Sequence, residues 1–419
     1  MKLSLRKLEY LWHTFAFVLL SGAFVPLWRQ MSLGGIDPGE GDPVQRLFLA
    51  VAYLGVGLLI FHPRSAWRAS RRGWLVWALV GWALLSTLWS VAPEITLRRS
   101  LAAALGVLYG LLLAVRYRPE EVLRMLAAAL AIVVAASLMA VAVIPEWAIM
   151  GPPHEGAWRG VLWHKNGLGR TAAFALLVFW VLARAGRSPR AKAWWWGWVL
   201  AAGILLIASR SATGLISALA LPAGWWVLQT WAGLPGLLRP ATGSFFLAVG
   251  IPGLFVLPDI LAWALGLLGK DLTLTGRIPL WLLLIPLALA RPLLGYGYGA
   301  FWLGESGPSA VVWAVTWDAP HAHNGVLDLW LEIGLIGAGI AIVMLVLTML
   351  RYTALAFQSR ESPVVQFGFW VSLLVIIENM SEAVLLESQL GKALYWVLIV
   401  YIWHYGICHA NTSLAREGV

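Results

Sequence analysis

The chain has 419 residues, 60% of them hydrophobic and 12% charged, with a mean hydropathy of +0.79. A soluble protein would need about twice that charged fraction, so the composition excludes a soluble fold and describes an integral membrane protein. The net charge of +10 sits mostly on Arg in short loops beside apolar runs, where membrane topology and anionic lipid account for it without a nucleic-acid partner.

A helix needs about 20 apolar residues to cross the hydrocarbon core. On that measure the runs near 11–28, 45–61, 74–92, 100–117, 122–145, 167–183, 194–208, 212–231, 242–257, 326–349, 364–380 and 390–407 read as spans. The expected fold is therefore an all-α integral membrane protein of about 12 transmembrane helices, forming one polytopic domain over 1–419. The first run follows Lys2, Arg6 and Lys7 but lacks a small-x-small cleavage site and carries Trp12 and Trp28 at its ends, so it is read as a span rather than a leader. The single Cys408 rules out an intramolecular disulfide or a cysteine-based metal cluster.

Basic loops set the orientation. Arg64, Arg68, Arg71, Arg72, Arg116, Arg118, Arg184, Arg187, Arg190, Lys192, Arg351 and Arg360 fall on the cytoplasmic side, and the acidic loop with Asp37, Glu40 and Asp42 falls outside. The loop 146–166, the turn Ser209-Arg210-Ser211 and the long segment 258–325 then share the extracytoplasmic face. Within that long segment, 278–290 is apolar but short and carries two prolines, which suits a surface or re-entrant helix.

The polar residues of that face could carry chemistry. Arg277 precedes an apolar helix, where a guanidinium suits a phosphate or snorkels to the interface. Arg210 ends a nearly uncharged span on the side that ordinary topology disfavours for Arg. Arg159, Lys165 and Arg170 add positive charge, and His164-Lys165-Asn166 opens the sixth span as a second polar cluster. His323, in the turn His321-Ala322-His323-Asn324, offers a group that titrates near neutrality and is able to take a proton from a hydroxyl, or to cap the next helix. No metal-ligand pattern is complete around it, Asp318 being the nearest carboxylate, and no metal or other cofactor is expected. Arg291 leads into Gly295-Tyr296-Gly297-Tyr298-Gly299, where glycines permit close approach to a ligand and Tyr296 and Tyr298 line it. No Lys-Ser/Thr follows, which argues against a nucleotide loop. Glu382 and Glu387 read as solvated loop carboxylates.

His323-Asn324 followed by Gly334-x-x-Gly337, preceded by Arg277 with Trp281 and by Arg291-Pro-x-x-Gly295-Tyr-Gly, resembles the O-antigen ligase and polymerase superfamily. Leu85-Ser86 through Trp89-Ser90 with Pro93, His164-Lys165-Asn166-x-x-Gly169, Ser209-Arg210-Ser211, and Asn379 with Glu382 are similar to its exopolysaccharide polymerase branch, so the resemblance runs from roughly 80 to 390. It implies a metal-independent glycosyltransferase of the bacterial inner membrane that works on the periplasmic face with an undecaprenyl-diphosphate-linked glycan donor. By the same resemblance Arg210 and Arg277 hold the donor diphosphate, and His323 acts on the acceptor hydroxyl. The remaining polar residues, Arg291, His321, Asn324, Tyr296, Tyr298, His164, Lys165, Asn166 and Arg159, are candidates for substrate contact. The reaction implied is polymerisation of lipid-linked repeat units. The alternatives are ligation of the glycan to lipid A core or a protein hydroxyl, and, in another class, a polysaccharide or lipid transporter. Membrane lipids and polysaccharide-assembly proteins are the other implied partners. Transport is disfavoured by spans nearly free of midplane charge.

Overall fold

The structure, a computed structural model, describes residues 4–31, 42–152, 154–236, 238–239, 277–315, 319–359, 362–380, 382–386 and 390–414. The expected span at 242–257, the first part of the long loop, and Asp37, Glu40, Asp318, Arg360 and Glu387 lie outside these residues. The described chain is helical. Its elements are α1 (Leu5–Leu20), α2 (Val25–Met31), α3 (Pro43–Tyr53), α4 (Pro63–Arg72), α5 (Trp74–Leu85), α6 (Pro93–Arg116), α7 (Pro119–Val143) and α8 (Pro145–Ala148). There follow α9 (Lys165–Ala185), α10 (Pro189–Ala208), α11 (Ala212–Gly233), α12 (Arg277–Ala290), α13 (Ala310–Trp313), α14 (Gly325–Gln358), α15 (Pro363–Asn379) and α16 (Ala393–Leu414).

Prolines in the first turn and short polar caps start these helices. Ser188 precedes Pro189 and accepts from the Ala191 amide, Ser362 precedes Pro363 and accepts from Val365, and Glu121 turns back onto the Arg118 amide at 2.8 Å. Among the described residues, seven helical stretches are long and apolar enough to cross a membrane: 43–61, α6, α7, α9, α10, α11 and α14. The expected spans at 74–92, 364–380 and 390–407 correspond to shorter apolar helices, and the one at 11–28 is interrupted by a turn at 21–24. Large apolar side chains such as Leu200, Ile207 and Leu219 are about 70% exposed on these helices, an outer surface suited to lipid and not to water. The chain is a multi-pass membrane protein.

Contacts sort the loops into two ends. At one end the Phe24 amide donates to Val161, Trp158 to Ala208, Val91 to Tyr296, and Gly391 to Leu20. At the other, Arg116 binds Glu9 and His62, Arg6 binds Glu121, and the Trp403 indole donates to Gly73. The described residues of the turns at 146–166, 208–211, 291–324 and 380–392 belong to the first end. The short helix expected at 278–290 is α12. It buries Leu280, Leu284 and Ala288, one helical face, and leaves Leu282 and Leu289 exposed.

Candidate functional site

A break in α14 organises the site. Gly334 has φ +69° inside an otherwise helical run, so the carbonyls before it lose their helical donors. The 291–297 loop and one indole replace them. Tyr296 N–H donates to Leu331 O at 2.9 Å, Gly297 N–H to Glu332 O at 2.8 Å, and the Trp82 indole to Ile333 O at 2.9 Å, while Leu335 N–H donates to Pro292 O at 2.9 Å. The approach leaves no space for side chains. A Cβ on Gly334 would stand 2.0 Å from the Leu293 carbonyl oxygen, and one on Gly295 2.6 Å from the Glu332 carbonyl.

The glycine-tyrosine repeat therefore meets protein. Tyr296 is buried with its hydroxyl donating to Leu287 O, and Arg291 lies over its ring at 4.8 Å. Tyr298 is buried and its hydroxyl donates to Leu386 O.

Three side chains hold the histidine turn on the stub of α14 that precedes the break. Asp328 accepts the Ala322 amide at 2.8 Å and the Trp302 indole at 2.9 Å through one oxygen, and the Trp281 indole donates to Ala322 O at 2.8 Å. Asn324 caps the stub, accepting from the Val326 and Leu327 amides. His323, at φ +51°, points its amide at His321 Nδ1, 3.1 Å away. That contact fixes the tautomer. With Nδ1 accepting, neutral His321 carries its proton on Nε2, which donates to Glu382 Oε2 at 3.0 Å. Burial, with the Lys392 charge beside it, drives His321 down to about 3, so it stays neutral. His323 Nδ1 lies 3.8 Å from the other oxygen of Glu382, and the two imidazoles sit 4.2 Å apart.

Glu382 is the hub. Burial opposes its ionisation, but Arg170 at 3.6 Å, the His321 hydrogen bond and Lys392 outweigh it and hold the carboxyl well below the usual range. Arg170, from α9, also reaches Glu378 at 3.6 Å, and the Ser217 hydroxyl of α11 donates to Glu378 at 3.2 Å. The Asn379 carboxamide oxygen accepts the Val384 and Leu385 amides and so shapes the turn carrying Glu382. Arg277, the first residue of α12, is partly buried and lies within reach of the Glu382 charge.

A second group adjoins the first. α9 and α11 approach closely where a Cβ on Gly169 would stand 2.3 Å from Ser211 Cβ. Lys165 Nζ donates to Arg210 O at 3.3 Å, Arg210 donates to Glu155 O at 3.0 Å, and the His154 and His164 rings meet at 5.0 Å. Burial lowers His164 to about 4, and the charges of Glu382 and Arg170 reach it, which ties this group to the histidine turn. Arg210 is exposed, with φ +50°.

The structure thus gathers His321, His323 and Arg277 around Glu382, with His164, Lys165 and Arg210 alongside. Arg159 instead donates to Trp147 O at 2.7 Å and stacks on its ring, Asn324 is a helix cap, and Asn166 supplies the amide that His164 caps. Sequence reasoning passed over Glu378, Glu382 as a partner of the histidines, Asp328 and Lys392. Glu378 had a readable signal, an ionisable group at the end of the apolar run Val371–Ile377.

His321, His323 and Glu382 bring three donor atoms within 4.8 Å of one another. With Nδ1 of His321 committed to the His323 amide, a metal on its Nε2 would have to displace the only ring proton. The donor set fits a hydrogen-bonded His321–Glu382 pair with His323 beside it better than a cation site.

Residues 195–342 match the O-Antigen ligase family. Over 308 residues the chain is 29% identical to the exopolysaccharide production protein ExoQ of Rhizobium meliloti (strain 1021), an alignment covering 68% of this chain and 65% of that protein, slightly under two thirds of its length. The family match contains Arg210, Arg277, Arg291 and the histidine turn, whereas Arg170, Glu378 and Glu382 lie outside it. The chain is thus similar to the O-antigen ligase family over residues 195–342, and over a longer stretch to an exopolysaccharide production protein.

Proposed function

We propose that this protein is a membrane glycosyltransferase that moves a glycan from an undecaprenyl-diphosphate-linked donor to a sugar hydroxyl, polymerising lipid-linked repeat units at the periplasmic face of a bacterial inner membrane. The observation that carries this reading is the Glu382 carboxylate beneath His321 and His323, with Arg277 in range, at the end of the bundle opposite most of the basic loops. The exopolysaccharide production named for the relative favours polymerisation over ligation to lipid A core.

In this reaction the acceptor oxygen forms a bond to the anomeric carbon as the bond from that carbon to the diphosphate oxygen breaks. The leaving diphosphate keeps the electron pair, and the hydroxyl proton passes to His323. Glu382, 3.8 Å from His323 Nδ1, stabilises the imidazolium so formed, while neutral His321 holds the carboxylate in place. Arg277 and Arg210 hold the diphosphate, where fixed guanidinium groups stabilise the growing negative charge.

Purified protein incubated with a lipid-linked repeat unit, with and without lipid A core, tests the assignment. A ladder without added acceptor is expected, and a single product that requires the core would establish ligation instead. His323→Ala is expected to abolish the ladder while membrane insertion persists. Substrate uptake into vesicles with no glycosyl transfer would overturn the enzyme reading.

A further inference from the structure

At the opposite end of the molecule a cavity of ≈ 620 Å³ is lined by Arg6, Arg116, Arg118, Arg124 and Arg187, against Glu120 and Glu121 only. Three turns build it: the start of α1, the α6–α7 turn, and the residues after α9. The two acids do not neutralise it. Glu121 is held by Arg6 at 2.9 Å and by the Arg118 amide, and Arg116 is held by Glu9, which Tyr117 also binds. Among the described residues no ion pair joins Arg118, Arg124 or Arg187 to a carboxylate. These three arginines line one cavity, and guanidinium groups are suited to a phosphate oxyanion.

An apolar groove of ≈ 640 Å³ runs along the other flank of α1, lined by Leu5, Leu8, Trp12, Phe15, Leu54 and Leu58. Glu9 borders this groove, and its partner Arg116 lines the arginine cavity, so the polar and apolar spaces meet across one ion pair. Leu5 and Leu54 are 76% and 68% exposed there. A soluble phosphate would use the cavity and leave the groove empty. We infer that the two together bind an anionic phospholipid, its phosphate among Arg118, Arg124 and Arg187 and an acyl chain along α1. The charge complementarity of the cavity and its position next to the groove, across the Glu9–Arg116 pair, select this occupant.

Native mass spectrometry of the full chain in detergent, with added phosphatidylglycerol or phosphatidylcholine, tests the inference. Phosphatidylglycerol adducts are expected to persist at collision energies that strip phosphatidylcholine. Retention should fall about fivefold for each of Arg118→Gln, Arg124→Gln and Arg187→Gln. Leu8→Gln, which alters only the groove, should weaken lipid retention without changing competition by inorganic phosphate. Equal retention of the two lipids, or unchanged retention in the triple arginine variant, overturns the inference. So does displacement by inorganic phosphate with no preference between lipids, which would identify a soluble-anion site. Unaltered glycan ladders from the variants show that folding is intact.

Discussion

Glu382→Gln isolates the electrostatic part of the proposed chemistry. The substitution keeps an acceptor for His321 Nε2 and nearly the same shape, but removes the charge 3.8 Å from His323 Nδ1. Two unit charges about 4 Å apart at an effective dielectric near 20 interact by about 4 kcal/mol, roughly a thousandfold in rate if it is felt fully in the transition state. Arg170 and Lys392, which Glu382 now offsets, would also repel the imidazolium in the variant. Turnover is therefore expected to fall by about 10²–10⁴, chiefly in kcat, because the carboxylate acts once the proton has moved. Stability is expected to fall by about 3 kcal/mol, the lower range for an opened buried pair, since Glu378 still faces Arg170. Glu382→Asp keeps the charge and should recover part of the rate. The assay is ladder formation under saturating donor, alongside thermal unfolding in detergent. A folded Glu382→Gln protein whose kcat stays within about tenfold of the wild type would refute the reasoning.

Arg277→Lys should reduce kcat/KM by about 10–100-fold, because an ammonium point charge does not reproduce a bidentate grip on diphosphate; near-native activity would make Arg277 an interfacial anchor. Gly334→Ala forces a Cβ within 2.0 Å of Leu293 O at a positive φ, and should cost more than about 3 kcal/mol, read as loss of monodisperse protein. Acidification should destabilise the fold. His321 has its proton affinity lowered from 6.5 to about 3, so its contribution is complete above about pH 6.5 and is lost as pH falls. Between about pH 6.5 and 5 that one group accounts for roughly 2 kcal/mol, and His164 and Glu382 shift the same way. Melting temperatures that do not change over that interval would contradict the placement of His321.

Charge asymmetry between loops is a sequence property, and it led to the expectation that 146–166, 208–211 and 258–325 share one face; in the structure 146–166 and 208–211 meet through Trp158 N–H to Ala208 O and Lys165 Nζ to Arg210 O. Asn324, read from the sequence as a candidate for substrate contact, caps α14 in the structure, and a side-chain acceptor before an apolar run is a local signal of that role. The role of Glu382 was not legible. A carboxylate in a short loop reads as solvated until a distant turn folds over it, and nothing local to 380–386 announces His321. The glycine repeat misled for a related reason. Glycines mark close approach without saying to what, and here the neighbours are the carbonyls of a broken helix. The break itself is a single residue, Gly334, inside an apolar run that otherwise continues as one helix.

That break also explains how two segments far apart in sequence are kept in register. Tyr296, Gly297 and Leu335 tie the 291–297 loop to α14, and Trp281 ties α12 to the histidine turn, so Arg277, His321 and His323 sit on one braced unit. Glu382 arrives separately, from the end of α15. The two meet through Asn379. Its carboxamide oxygen accepts the Val384 and Leu385 amides that shape the Glu382 turn, and a Cβ on Gly325, the first residue of α14, would stand 1.9 Å from that same oxygen. Gly325 adjoins the His323-Asn324 cap, so one side chain sets both the height of the histidine turn and the position of its carboxylate. In the proposed chemistry, the electrostatic support that Glu382 gives His323 across 3.8 Å weakens with drift between the two turns. The absence of a Cβ at Gly325 is thus a requirement of the site as much as of the packing.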